Sequence, residues 1–508
     1  MKEQSFTLTP LQIDSINRMK DMQAAVLALS PGCGKTCTVL YYMQYHLLKD
    51  NNDKCILFIP KSARAAFKKE FNTKLELSGD DYIFVTAGKR ISYEDISSKR
   101  YIVVENSIVN KYIEDLIKLA NTNVCHLVID EAHSLQNPES VFSKAAWEVR
   151  CYCKRIYAMT ATPLLNSIEG LFNLYHFCFP KIFSSWFRFR ARYCITQDHV
   201  IRMKNRFGKL IERKIVEIVG YQNMDELNSV LDKLTIKGCV HYNVNFDIMN
   251  CPLDEECEKL YKLASNGLFD ILYHPEKVKK KQPTKKSADQ LESISDSQKD
   301  FGARLHDLQR VVDFGDDQVG EGFISNKMKL ILDAVKAIMS RNESTLIYFE
   351  YKDTLEYAER ILLNHQSELG FKNIYRLTGE EKEETRAKIE KELGLQEIIL
   401  CSQAASQSRN LQRANNIIIA NLPFSCGKLI QILGRICRVD TTYDHQNVYI
   451  LEVNKTIDEY KVELFKQNIG LIKTLLGMES LGTLDKCTYL DVSSDDRKKL
   501  KNNLLWKR

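Results

Sequence analysis

Hydrophobic residues along this chain fall into two kinds of stretch. Some are short unbroken runs, such as Ala24–Leu29, Leu127–Ile129 and Tyr157–Met159. Runs of that length suit strands buried on both faces of a parallel sheet. Others repeat at helical spacing: Leu40, Met43 and Leu47 after the first run, and Leu171, Leu174 and Phe177 in a helix predicted over 166–177. The alternation returns in the second half. There Ser344–Leu362 predicts a strand followed by a helix, and Glu397–Ser402 a further strand. Strands and helices in turn imply parallel sheets flanked by helices, an α/β fold.

The connections after these runs carry candidate chemistry. The first reads Ser30-Pro31-Gly32-Cys33-Gly34-Lys35-Thr36 and leads into the predicted helix. A strand, a glycine-containing turn and a helix start aim backbone N–H groups and the positive dipole end at one spot, which suits a phosphate. Gly32 and Gly34 stand where backbone must approach closest, Lys35 adds charge for the β/γ-phosphates, and the Thr36 hydroxyl suits Mg2+. The first glycine of the usual phosphate loop is replaced by Leu29, and an ordinary strand–turn–helix is the plainer alternative. The second connection is Asp130-Glu131-Ala132-His133. Ligands of parallel sheets gather at the carboxyl ends of strands. Asp130 there would hold Mg2+, and Glu131 would orient the water that attacks the γ-phosphate. Read alone, the two acids are better taken as an exposed cap on a helix that begins near Ala132; paired with Lys35 and Thr36, they are not. The third connection is Thr160-Ala161-Thr162-Pro163, where the proline ends the ladder.

These three motifs, in this order and spacing, resemble motifs I, II and III of superfamily 2 helicases and translocases, with a DEAH-type motif II. "TPLLNSIEGLFNLYHFCFP" is similar to the Swi/Snf-related DNA translocases within that superfamily. In such proteins the first glycine of the loop is often replaced, so Leu29 fits. The resemblance implies two RecA-like parallel-sheet domains with helical insertions between them, and ATP and Mg2+ in the cleft. It implies that Pro31 to Thr36, Cys33 included, surround ATP, and that Gln12 of "LTPLQ" reads the adenine edge. Ile56–Phe71 resembles motif Ia, whose Lys61 would approach the nucleic-acid backbone. His133, Thr160 and Thr162 would couple the nucleotide to motion.

The second half continues the resemblance. Ser344–Leu362 is similar to motif IV, and Ser402 to Ser425 to motif V, with Ser402 and Asn410 implied as nucleic-acid contacts. Gln431–Val439, "QILGRICRV", matches Q-x-x-G-R-x-x-R, motif VI. On a helix, Arg435 and Arg438 would share a face and reach a γ-phosphate held by the other domain, with Gln431 coupling. The glycines usual in motif V are absent, as is the arginine pair usual before the second helical insertion.

Composition adds bounds. At 508 residues the chain is too long for one ordinary core. No run of 18 apolar residues is present, so no membrane span is expected, and the start lacks an apolar signal core. An intracellular protein follows as the expectation, and the Lys-, Ile- and Asn-rich composition hints at a viral, phage or bacterial source. The net charge of +6 permits a nucleic-acid partner without arguing for one. The 15 cysteines show no C-x-x-C spacing and read as reduced thiols.

The expected domains are 1–178, a first RecA-like domain, and 326–478, a second. Residues 179–325 form a helical insertion and linker, with a disordered loop at 276–300, and 479–508 a polar tail. In the insertion, Trp186, Phe189 and Tyr193 share one helical face and Arg188 and Arg192 another; packed aromatics with solvated arginines is the favoured reading over a DNA contact. Asn223 and Glu226 resemble a capping box ahead of a Leu227, Val230, Leu231, Leu234 stripe. The expected function is an ATPase that translocates along or remodels DNA. A strand-separating helicase uses the same motor, and no wedge is visible in the sequence. An ATP-driven factor acting on a protein–nucleic acid complex is the alternative, and the Swi/Snf-like features lean to DNA, duplex or forked, over RNA.

Overall fold

The computed structural model describes residues 7–30, 32–88, 90–161, 168–204, 210–238, 244–273, 305–313, 322–378, 393–402, 413–424, 426–436 and 445–475, with positions 381, 388–389, 411 and 443. The described residues fall into two compact units, one running to residue 238 and the other from 244 to 472.

The first unit is built on seven parallel strands. These are β1 (Ala24–Leu29), β2 (Asp53–Ile59), β3 (Tyr82–Val85), β4 (Tyr101–Glu105), β5 (Val124–Ile129), β6 (Arg155–Met159) and β9 (Thr235–Gly238), in the order β3-β4-β2-β5-β6-β1-β9. The flanking helices are α1 (Pro10–Lys20), α2 (Lys35–Tyr42), α3 (Arg64–Thr73), α4 (Tyr93–Ser98), α5 (Ile113–Thr122), α6 (Val141–Arg150), α7 (Ile168–Cys178), α8 (Trp186–Tyr193) and α9 (Met224–Leu234). The apolar runs are the central strands. Burial on both faces is why they read as continuous rather than alternating: Val26, Leu127, Ile129 and Ala158 pack in one core, and Leu27, Val128 and Met159 in the other.

The segment between the expected domains holds more than helices. Strand β9 closes the edge of the first sheet beside β1. Strands β7 (Cys194–Lys204) and β8 (Leu210–Tyr221) form a two-stranded antiparallel ribbon. At its base, α8 buries Phe189 and Tyr193 and partly buries Trp186, while Phe187 stays 74% exposed. Helix α9 buries Leu227 and Leu231 and partly buries Val230 and Leu234. The expected capping box at α9 is not formed. Asn223 takes φ 53° and makes no side-chain cap, because the Glu226 carboxylate is claimed by Arg192 and by Tyr193.

The second unit repeats the plan with six parallel strands: β10 (Val244–Cys251), β11 (Thr345–Phe349), β12 (Asn373–Leu377), β13 (Glu397–Ser402), β14 (Asn416–Ile419) and β15 (Gln446–Val453), in the order β10-β15-β14-β11-β13-β12. Its helices include α10 (Glu255–Tyr273), α11 (305–313), α12 (Asn326–Ser340), α13 (Lys352–Asn364), α14 (Gln366–Leu369), α15 (Cys426–Leu433) and α16 (Ile457–Leu475). A buried ionic cluster ties several together. The Lys327 ammonium lies 2.7 Å from both Asp313 and Asp458, and Asn421 donates to Asp313. The expected disordered loop at 276–300 and the polar tail lie outside the described residues.

Candidate functional site

Because every strand of the first sheet runs the same way, β2, β5, β6 and β1 end side by side at one edge. The four connections there carry Lys61, Asp130-Glu131, Thr160 and the 30–36 loop. This adjacency brings together residues up to 130 positions apart in the chain.

The loop after β1 bends as a phosphate cradle bends. Gly32 and Gly34 hold φ of 81° and 73°, the left-handed region that favours glycine. A Cβ at Gly34 would collide with the Gln12 side-chain amide as well. Helix α2 begins at Lys35, directly after Gly34. The Lys35 ammonium folds back on the loop, donating to the Leu29 carbonyl at 2.8 Å and the Ser30 carbonyl at 3.3 Å. Those weak neutral acceptors hold the cation over the spot that a phosphate would claim by charge. Cys33 is buried and Thr36 half-buried at the loop's edge. Pro31 lies outside the described residues.

Gln12 is fixed by a capping box. Its Oε1 accepts from the Thr9 N–H at 2.9 Å, and its own N–H donates to Thr9 Oγ1 at 3.3 Å. Leu11 packs on Gly238, and Arg18 donates to the Thr235 carbonyl at 2.9 Å, so α1 leans on β9. Gln12 thus meets the loop through its amide nitrogen.

Asp130 is 9% exposed, and its N–H donates to the Phe58 carbonyl of β2 at 2.8 Å. Burial first and the Glu131 carboxylate second push the Asp130 carboxyl up to about 7, with Lys35 opposing. An acid held in this way is short of positive charge, and its ionisation is favoured by a cation. Glu131 takes φ 48°, a sparsely populated conformation for a non-glycine residue, and lies 3.3 Å from His133 Nδ1. The residues that follow form a short 3-10 helix, Ala132–Gln136, where the sequence allowed a helix cap. Glycine cradle, lysine and buried acid together fit a nucleotide triphosphate with its divalent cation.

Thr160 is fully buried and its N–H donates to the Leu27 carbonyl of β1 at 3.0 Å. Thr162 lies outside the described residues. Helix α7, which follows, packs tightly on the Ala132–Gln136 turn. Asn173 donates to the Gln136 carbonyl at 2.8 Å, and a Cβ at Gly170 would come within 2.8 Å of Gln136 Oε1. Gly170 and Asn173 were not among the residues singled out in the sequence. A glycine inside an apolar helix was the available signal.

In the second unit Arg435 lies beyond α15 rather than on it. The helix ends at Leu433, and residues 434–436 form a turn. The expectation of a helical face shared by Arg435 and Arg438 is corrected to that extent, and Arg438 lies outside the described residues. Arg435 is 7% exposed, its Nε donates to the Gln431 carbonyl at 3.0 Å, and its carbonyl accepts from the Leu411 N–H at 3.1 Å. Cys401 of β13 feels its charge: burial pushes that thiol up to about 12, and Arg435 opposes. Ser402 is buried at the end of β13, Lys61 is exposed at the start of a turn after β2, and Asn410 lies outside the described residues. Among the described residues no cluster of metal-ligating side chains occurs and all described cysteines are free thiols.

Comparisons with known proteins place the sequence in one family. The family described as SNF2-related domain matches residues 14–302, and the helicase conserved C-terminal domain matches 326–440. The chain is 22% identical over 500 residues to the uncharacterized ATP-dependent helicase YqhH of Bacillus subtilis, covering 93% of this chain and 80% of that one. It is also 22% identical to a Xenopus laevis SWI/SNF-related matrix-associated actin-dependent regulator of chromatin, subfamily A-like protein 1, covering 92% of this chain and 44% of the relative. Thus it spans most of the bacterial helicase and less than half of the animal protein. Among solved structures, the Sulfolobus solfataricus SWI2/SNF2 ATPase core in complex with dsDNA is similar, with a TM-score of 0.40 at 18% identity, covering 93% and 92% of the two chains. With more than half of its length matched by that one family, the chain belongs to the SNF2-related family.

Proposed function

We propose that this protein is a nucleic-acid-stimulated ATPase that uses ATP to move along or remodel DNA. The observation that carries the proposal is the adjacency of Lys35, Asp130-Glu131 and Thr160 at the carboxyl ends of neighbouring parallel strands. The 32–36 loop and the start of α2 bind the phosphates through backbone N–H groups, and Lys35 leaves its loop carbonyls to pair with the β/γ-phosphates. The Gln12 amide reads the adenine edge. Thr36 and Asp130 would hold Mg2+. When bound, that ion would draw charge from the phosphoryl oxygens. Glu131 accepts a hydrogen bond from the attacking water and aligns it. Arg435 and Arg438 steady charge on the transferred phosphoryl group, His133, Thr160, Thr162 and Gln431 pass the change to the fold, and Lys61, Ser402 and Asn410 contact the nucleic-acid backbone. DNA is the substrate favoured by the Swi/Snf-like stretch that begins at Thr162.

ATP turnover measured with no nucleic acid, single-stranded DNA, duplex DNA and RNA tests the reading. Duplex DNA is expected to stimulate most. Lys35→Ala and Glu131→Gln are each expected to lower turnover by about a hundredfold or more, with DNA affinity within about twofold of the parent. Turnover close to the parent's in either variant would remove the assigned roles.

A further inference from the structure

A glutamine amide has a donor end and an acceptor end, and the two exchange places when the amide turns over. Gln12 by itself therefore does not decide which purine it reads. We propose that the backbone N–H of Thr9 fixes the sense of the Gln12 amide, and so makes the site select a 6-amino purine nucleotide over a 6-oxo one. This rests on the reading of Gln12 above and deepens it to the class of base.

The two classes differ at one position. Adenine offers an acceptor at N7 and a donor at its 6-amino group, whereas guanine offers acceptors at both N7 and O6. An amide with Nε2 toward N7 and Oε1 toward position 6 suits a 6-amino purine. The same amide with Nε2 toward position 6 suits a 6-oxo purine.

The Thr9 N–H donates to Gln12 Oε1 at 2.9 Å. A backbone N–H can only donate, so it accepts the oxygen end of the amide and rejects the nitrogen end. Oε1 keeps a second lone pair for a 6-amino group. At the other end Nε2 lies against Gly34 of the phosphate loop. Gln12 is buried, so an amide turned the wrong way would leave the Thr9 N–H facing a second donor with little water to replace the lost bond.

The helix that carries this lock is itself held in place. Ile16 and Met19 of α1 pack in the core that holds Leu27 and Leu29 of β1, and Tyr42 of α2 donates to the Met19 carbonyl at 3.0 Å. The Leu11 methyl groups fill the space over Gly238, and the Gly238 carbonyl accepts from the Ser30 N–H at 2.9 Å. Helix α1, β9 and the phosphate loop thus form one corner, and the amide has no room to drift from the loop and escape the choice.

Two substitutions separate the N–H from the hydroxyl. Thr9→Ala removes only the hydroxyl, which accepts from the Gln12 N–H. Thr9→Pro removes the N–H as well, and Thr9 already holds φ −71°, the value that proline fixes. The full chain is assayed with ATP and with inosine triphosphate, which has the 6-oxo group but lacks the 2-amino group of guanine. The ratio of kcat/KM for the two is measured on duplex DNA, and the ratio of affinities for ADP and inosine diphosphate is measured beside it, since binding needs no turnover. The parent is expected to favour the 6-amino purine by about tenfold or more. Thr9→Ala is expected to keep that ratio within about threefold, and Thr9→Pro to lower it about tenfold, with KM for inosine triphosphate falling. A gain with one nucleotide is not what a weakened helix produces. The lock is overturned by a Thr9→Pro chain that keeps the parent's ratio by both measures, by a Thr9→Ala chain that loses it as fully as Thr9→Pro, or by a parent that does not discriminate. Gln12→Ala marks off the other failure: if it keeps the parent's ratio, the adenine reading of Gln12 falls, whereas if it loses the ratio while Thr9→Pro keeps it, only the lock falls.

Discussion

His126 lies in β5 four residues before Asp130, 3% exposed and with no hydrogen-bond partner for Nδ1 among the described residues. Burial drives its pKa down to about 4, and nearby Arg155 and Lys154 add to the fall against the pull of Asp53. The folded chain therefore keeps it neutral where an unfolded chain, with an ordinary value near 6.5, binds a proton. The stability it lends is complete above about pH 6.5 and is lost as pH falls through about 4, in all about 3 kcal/mol. The raised Asp130 carboxyl acts in the opposite sense, its contribution fading as pH rises through about 7. Thermal denaturation of the first unit between pH 7 and 4 is expected to show a smaller drop in His126→Leu than in the parent. Equal slopes would mean that His126 is not held neutral. At this scale the sequence was informative about placement: Lys35, Asp130 and Glu131 were expected just after strands, and they stand just after β1 and β5. It was silent on His126, since nothing local marks a histidine as buried.

At the scale of elements, α7 is the piece whose fit matters most. In an ordinary helix, Gly→Ala stabilises by about 1 kcal/mol. At Gly170 the added carbon would come within 2.8 Å of Gln136 Oε1 and 3.2 Å of Gln136 Cβ, so the Gln136 side chain must swing aside and its Cβ give by a few tenths of an ångström. Overpacking of that kind costs about 1–3 kcal/mol. Gly170→Ala is therefore expected to destabilise the first unit by about 1 kcal/mol in denaturant titration and to lower ATP turnover more than nucleotide affinity. A gain in stability would show that the turn yields freely. The elements themselves were legible unevenly. Central strands and α7 announced themselves through long apolar patterns. The ribbon did not, because an arm outside the core need not keep a clean alternation, and its charges blur the period of two. Arg435 was expected on a helix because its spacing from Arg438 allows one, yet α15 stops at Leu433 and a buried turn takes over. Spacing alone does not say where a helix ends.

At the scale of the whole molecule, two units each have their own cores. In the second, Lys327 is 2% exposed between Asp313 and Asp458, which come from helices far apart in sequence. Removing the cation leaves two carboxylates buried together, at a cost of about 3–5 kcal/mol. Lys327→Met is expected to speed amide hydrogen exchange in β11, β13 and β14. Exchange in β1, β5 and β6, and nucleotide affinity at the Lys35 loop, are expected to stay as in the parent. Unchanged exchange in the second unit would show that the cluster is not stabilising. The sequence by itself determined the α/β class and the two parallel sheets, because burial on both faces leaves a local imprint, and it supplied the residue types proposed for the nucleotide site. Tertiary structure decided the rest. It assigned β9 to one sheet and β10 to the other, set α1 against β9 so that Gln12 meets Gly34, and built a ribbon on a clamp of Arg192 and Glu226. Those outcomes depend on contacts between residues tens to hundreds of positions apart, whose free energy appears only when the chain closes on itself.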